Sequence, residues 1–95
     1  MKYIKKRVDH IGEELNDAME YAENYIVYKN TNPQWAQMYR DMALQELNHA
    51  ENLRIIAQEA MDKVSYIPED DAEMWKDKQR KHAEKKAMIK LLLSK

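Results

Sequence analysis

The chain has no cysteine, one glycine and two prolines among its 95 residues. Without cysteine neither disulfides nor thiolate metal sites are available, so a bound metal has to be held by Glu, Asp and His. Hard or borderline ions such as iron, manganese and zinc suit that donor set. The scarcity of Gly and Pro, with abundant Ala, Glu, Lys, Met and Leu and 35% charged residues, describes long helices and argues against a sheet. No apolar run approaches the roughly 18 residues that span a bilayer, and Met1 to Arg7 lacks the apolar segment of a signal peptide. No membrane partner and a cytoplasmic location are therefore expected. Nor does one sign of charge dominate: 16 Lys+Arg against 17 Asp+Glu give a net charge of −1, spread along the chain. That balance argues against nucleic acid or an anionic membrane as the main partner.

What the chain does have is helical periodicity. Ile4, Val8, Ile11, Leu15, Ala18, Ala22 and Tyr25 alternate by four and three, predicting a first helix from near Lys2 to about Lys29 with a heptad-like seam. Asn30, Thr31, Asn32 and Pro33 break it, Asn32 suiting the cap of the next helix and Pro33 its first turn. The second helix runs to about Lys63, and so short a connection makes an antiparallel hairpin over 2–64. After a break at Ser65 to Pro68 a third helix is predicted over 69–93, with Asp70 and Asp71 favouring its start. Its stripe of Trp75, His82, Ile89 and Leu93 is thin, which suits packing on a hairpin edge or on a neighbouring subunit. The expectation is one all-α domain, 1–95. A lone chain of this size buries only about 60 to 65% of the surface its unfolded form exposes, so self-association is expected too.

Glu46 and His49 are the residues that ask for a reason. On a wheel of about 100° per residue, Trp35, Tyr39, Met42, Ala43, Ala50, Leu53, Ala57, Ala60 and Val64 form one stripe, with Glu46 near its centre and His49 at its edge. An isolated carboxylate there costs several kcal/mol unless it is paired, protonated or bound to a cation. Spacing of i, i+3 places Glu46 and His49 about 5 to 6 Å apart, close enough to share an ion. They lie about 15 and 18 residues past the hairpin midpoint, roughly 22 to 26 Å along the axis, so a first-helix partner falls near residue 14 to 17. Glu13, Glu14 and Asp17 compete there. Glu14 lies about 70° from the seam and the other two roughly 130° to 170° away, which makes Glu14 the third candidate ligand. Glu20 and Glu23 read as solvent residues. One hairpin thus offers three side-chain donors, and two hairpins about a twofold axis offer four carboxylates and two imidazoles, the inventory of a dimetal site in a bundle.

These residues carry a family resemblance. Gly12-Glu13-Glu14-Leu15 followed by Gln45-Glu46-Leu47-Asn48-His49-Ala50-Glu51 resembles the ferritin-like superfamily, above all its half-size members such as the encapsulated ferritins, over residues 8–63. The resemblance implies a ferritin-like four-helix bundle completed by homodimerisation. It implies that Glu14, Glu46 and His49 bind iron, at a site that oxidises Fe(II) with dioxygen, and it brings in an encapsulin shell as a partner. Tyr21 stands where that group can carry a tyrosine near the metal. The hairpin connection and third helix look longer than in that group, and no flexible linker precedes the tail Lys90 to Lys95, as one usually does before a shell-targeting segment.

Plainer readings of the same residues stay open. Glu46 and His49 can form a pair that only fixes how helices dock, in a metal-free scaffold module dimerising through the same stripe. A metal store or regulator without redox turnover is a third reading. His10 reads as a surface histidine, with a role beside Glu14 as the alternative, and His82 as packing beside Trp75. Tyr25, Tyr28, Tyr39 and Trp35 read as core, Tyr21 as an interface tyrosine. Lys76 to Lys86 reads as a solvated helix face, too mixed in sign for RNA.

Overall fold

Two local interruptions divide the chain into helices. The computed structural model describes residues 1–95 as α1 (Lys2–Tyr28), α2 (Pro33–Asp62) and α3 (Glu69–Leu93). Asn32 leaves the helical region (φ −145°), and its Oδ1 accepts the Trp35 backbone N–H at 3.1 Å. That bond satisfies one of the amides a helix start leaves orphaned, and Pro33 has no amide to satisfy. Glu69, Asp70 and Asp71 fill the first turn of α3, where carboxylates favour the positive end of the helix dipole.

The core is built along the predicted α1 seam. Ile4, Val8, Ile11, Leu15, Ala18 and Ala22 are all buried, and against them lie Ala36, Ala43, Leu47, Ala50, Ala57 and Met61 of α2. Four of these six α2 residues are alanine, so the two backbones can approach closely. Burying a side chain such as Leu15, only 2% exposed, contributes about 1.5 to 3 kcal/mol.

The α2 stripe read from the wheel divides in two. Ala43, Ala50 and Ala57 face α1, whereas Trp35 and Val64 are exposed and Tyr39, Met42, Leu53 and Ala60 are partly covered. Glu46 therefore does not stand at the centre of the core but on its flank, and no charged residue of the chain is fully buried. The physical reason is that α2 carries two adjacent heptad seams, which a wheel merges into one wide arc. The first uses positions 36, 43, 47, 50, 57 and 61. The second, 35, 39, 42, 46, 49, 53, 56 and 60, keeps perfect four-three spacing and is covered only in part by its own chain: Tyr39 meets Tyr21 and Tyr28 and Leu53 packs on the core, while Trp35 and Ile56 stay about half exposed.

α3 packs chiefly on α1 and runs parallel to it. The Met1 backbone nitrogen lies 2.6 Å from Asp71 Oδ2, and Lys29 Nζ lies 2.8 Å from the Lys95 carbonyl oxygen, so starts meet starts and ends meet ends. Trp75, Ile89 and Leu93 are buried as its stripe predicts. α3 reaches α1 on the side of Gly12 and Asn16: His82 Nε2 would stand 3.7 Å from a Cβ at Gly12, and Lys85 Nζ bonds Asn16 Oδ1. Glu14 lies two residues, about 200°, round the helix from that contact. The face carrying Glu14 is left uncovered by α3. The result is a rod of 53 × 17 × 17 Å, with no helix long and apolar enough to cross a membrane.

Candidate metal centre

Antiparallel pairing brings the three candidate residues level. Glu14 comes from the middle of α1, and Glu46 and His49 come from successive turns of α2. One donor atom from each lies within 4.8 Å of the other two. His49 Nδ1 stands 3.6 Å from Glu14 Oε2 and 3.5 Å from Glu46 Oε1. Donors bound to one ion at about 2.0 to 2.2 Å are at most about 4.4 Å apart, so small side-chain rotations suffice to close the group on a metal. The Glu14 and Glu46 side chains are 18% and 19% exposed while His49 is 56% exposed, which makes the site a shallow cup opening away from α3.

The charge state of the pair follows from its geometry. Two carboxylates this close cannot both ionise cheaply, so they share a proton. Glu46 keeps it: donating a hydrogen bond to Glu14, with partial burial and the Glu14 charge adding to the effect, pushes its pKa up to about 7. Glu14 accepts that bond and moves below the usual carboxylate range, helped by His49 and His10. A cation can take the place of the shared proton. The donor set, two carboxylates and an imidazole, fits iron, manganese or zinc without selecting among them.

Two further residues complete the surroundings. His10 Nε2 lies 3.2 Å from Glu14 Oε1, the oxygen turned away from His49, so His10 steadies the carboxylate from behind. It does not join the three-residue cluster. Tyr21 is close enough for the charges of Asp17, Glu46 and Glu14 to add to burial in raising its pKa. It also begins an aromatic row, with ring centroids 6.3 Å from Tyr21 to Tyr39, 5.8 Å from Tyr39 to a stacked Tyr28, and 5.4 Å from Tyr28 to Trp35. Glu13, Asp17, Glu20 and Glu23 are exposed and belong to no cluster.

A second polar group escapes sequence reasoning. Glu51 accepts Arg54 Nε at 2.9 Å and Nη2 at 2.6 Å, and Lys86 of α3 reaches it at 3.5 Å. Arg54 chiefly, with Lys86, draws the Glu51 pKa down to about 2. The run Lys76 to Lys86 is thus not wholly solvated: Asp77, Arg80, Lys81 and Glu84 pair along the outside, but Lys86 turns inward to Glu51. The signal available was Arg54 itself, a charged residue at a buried-seam position between Leu47 and Met61.

Comparison with family models, with curated proteins and with solved structures finds no match to this chain.

Proposed function

We propose that the chain is a ferritin-like half-bundle, two copies of which join along their open α1–α2 faces to complete a four-helix bundle around a dimetal carboxylate centre. The observation that carries this reading is the gathering of Glu14, Glu46 and His49 within 4.8 Å, in the middle of a heptad seam that the chain itself covers only in part. A twofold axis through that cluster brings residues equally far on either side of it together. Trp35 of one copy then comes level with the 56 to 60 stretch of the other, and Met42 with the Leu53 region, so apolar meets apolar along the seam. The same axis doubles the donors to four carboxylates and two imidazoles.

In this reading Glu46, Glu14 and His49 of the two copies would together hold two ions, the carboxylates offsetting their charge and each His49 offering a neutral nitrogen. The metal, when bound, supplies Lewis acidity and redox chemistry, and iron with open positions suits oxidation of Fe(II) by dioxygen. The chain's own part is to hold carboxylates that neutralise the ions and give up the shared proton on loading. His10 keeps Glu14 oriented. The rival reading is a metal-free scaffold dimerising through the same seam, and the raised Glu46 pKa supports it, because a proton between the two carboxylates would satisfy them without an ion.

Metal analysis separates the two. Protein exposed to Fe(II), Mn(II) or Zn(II) and desalted should retain about one ion per chain, and Glu46→Ala or His49→Ala should lose it. Equal retention by the wild type and both variants, or none by the wild type, rejects the centre. Oxygen uptake on addition of Fe(II) then distinguishes a ferroxidase from a store or regulator.

A further inference from the structure

The far side of the hairpin holds a cavity that the metal reading does not use. The inward seam of α3 runs Trp75, Gln79, His82, Lys86, Ile89 and Leu93, apolar at its ends and polar in the middle. The inward seam of α2 does the same at the same level, with Arg54 between Leu47 and Met61. There α3 lies on α1 but stands off from α2, and a cavity of about 280 Å³ remains between them. Its floor is apolar, made by Ile11, Leu15, Ala50 and Trp75. Arg54, Lys86, Gln79 and His82 also line it. The gap is bridged by Trp75 Nε1 donating to Gln58 Oε1 at 3.0 Å and by Lys86 reaching Glu51.

The electrostatics of this cavity favour an anion. Arg54 and Lys86 bring two positive charges against the single carboxylate of Glu51, and His82, whose pKa is lowered chiefly by burial and then by Lys78 and Lys85, stays neutral and adds no charge of its own. Glu51 occupies Nε and Nη2 of the Arg54 fork, which leaves Nη1 without a partner, and it meets the Lys86 ammonium only at 3.5 Å. Glu51 also demonstrates the preference, since a carboxylate already sits on these cations. The space opens to solvent between α2 and α3, where Arg54, Glu51 and Lys86 are each about a third exposed, so a small molecule can reach it. This space is close to the lower end of ligand pockets, about 300 Å³, and pairs an apolar floor with a few convergent polar groups, as such pockets do.

We propose that the cavity between α2 and α3 binds a small organic carboxylate, its charge held by Arg54 and Lys86 and its carbon body seated on Trp75, Leu15 and Ala50. The apolar floor selects an anion with a carbon body over bare phosphate. The cavity is separate from the metal centre, which opens on the other face of the α1–α2 hairpin.

Benzoate, its neutral analogue benzamide and inorganic phosphate are the probes, titrated into Trp35→Phe protein so that Trp75 alone reports by fluorescence, with thermal midpoints followed in parallel. Benzoate should change Trp75 emission saturably and raise the midpoint, and benzamide should bind about tenfold more weakly or worse, the loss of charge-assisted hydrogen bonds. Arg54→Met with Lys86→Met should abolish the benzoate response in a protein that stays folded by circular dichroism. Lys86→Gln alone, the milder change, should weaken it. The proposal is overturned by absence of a saturable benzoate response, by benzoate and benzamide acting alike, by phosphate matching benzoate, or by a benzoate response that survives Lys86→Gln unchanged.

Discussion

Glu46 holds a proton that a glutamate in water releases, and the pH dependence of stability follows from it. Below the ordinary value of 4.5 the folded and unfolded chains both carry that proton; between 4.5 and about 7 only the folded chain does. The folded state must therefore lose stability as pH rises through this window, when no metal is present. Glu14 is shifted the opposite way, and Glu51, drawn to about 2, contributes stability present above 4.5 and lost as pH falls toward 2. Urea midpoints measured from pH 4 to 8 should accordingly decline in the wild type relative to Glu46→Gln, whose side chain cannot titrate. Saturating Zn(II) should reverse the decline in the wild type only. A difference between the two proteins that is flat in pH would show that the carboxylates share no proton.

At the scale of elements, each helix boundary has a local cause that can be tested alone. Removing the Asn32 cap in Asn32→Ala frees the Trp35 amide and should cost about 1 kcal/mol, read as a lower midpoint with an unchanged denaturant slope. Such boundaries were legible because capping and proline chemistry act within a few residues. The α1 seam was legible because its spacing is regular and its neighbours are polar. Glu14, Glu46 and His49 came together as expected because the axial rise per residue and a short turn nearly determine which residues of a hairpin lie level. The faces of α2 were not legible, since choosing between two adjacent heptads depends on where α1 sits. Lys86 was missed for a related reason: a lysine on a charged helix looks solvated until a carboxylate on another helix, Glu51, is placed opposite it.

The whole molecule is thin for its length. Its radius of gyration is 15.5 Å, against about 12 Å for a globule of this chain length. Its exposed surface is 6448 Å², against roughly 5,800 Å² for a monomer of this mass. Trp35 and Ile56, at 53% and 51% exposed, stand toward opposite ends of the half-covered seam. The dimer reading predicts that Ile56→Glu shifts the protein from dimer to monomer in sedimentation while its helical circular dichroism persists, because Ile56 lies outside the chain's own core. A wild type that sediments as a monomer at every concentration, with and without metal, would count against the shared bundle. The unequal anchoring of the helices has a further consequence: α1 and α2 bury six side chains each and α3 only three. Cooperative units in a protein open in order of what holds them, so α3 forms the weakest foldon, peeling away while the hairpin stays shut. Any guest lodged beneath it would act as a latch, slowing amide exchange in the last helix without altering the first two.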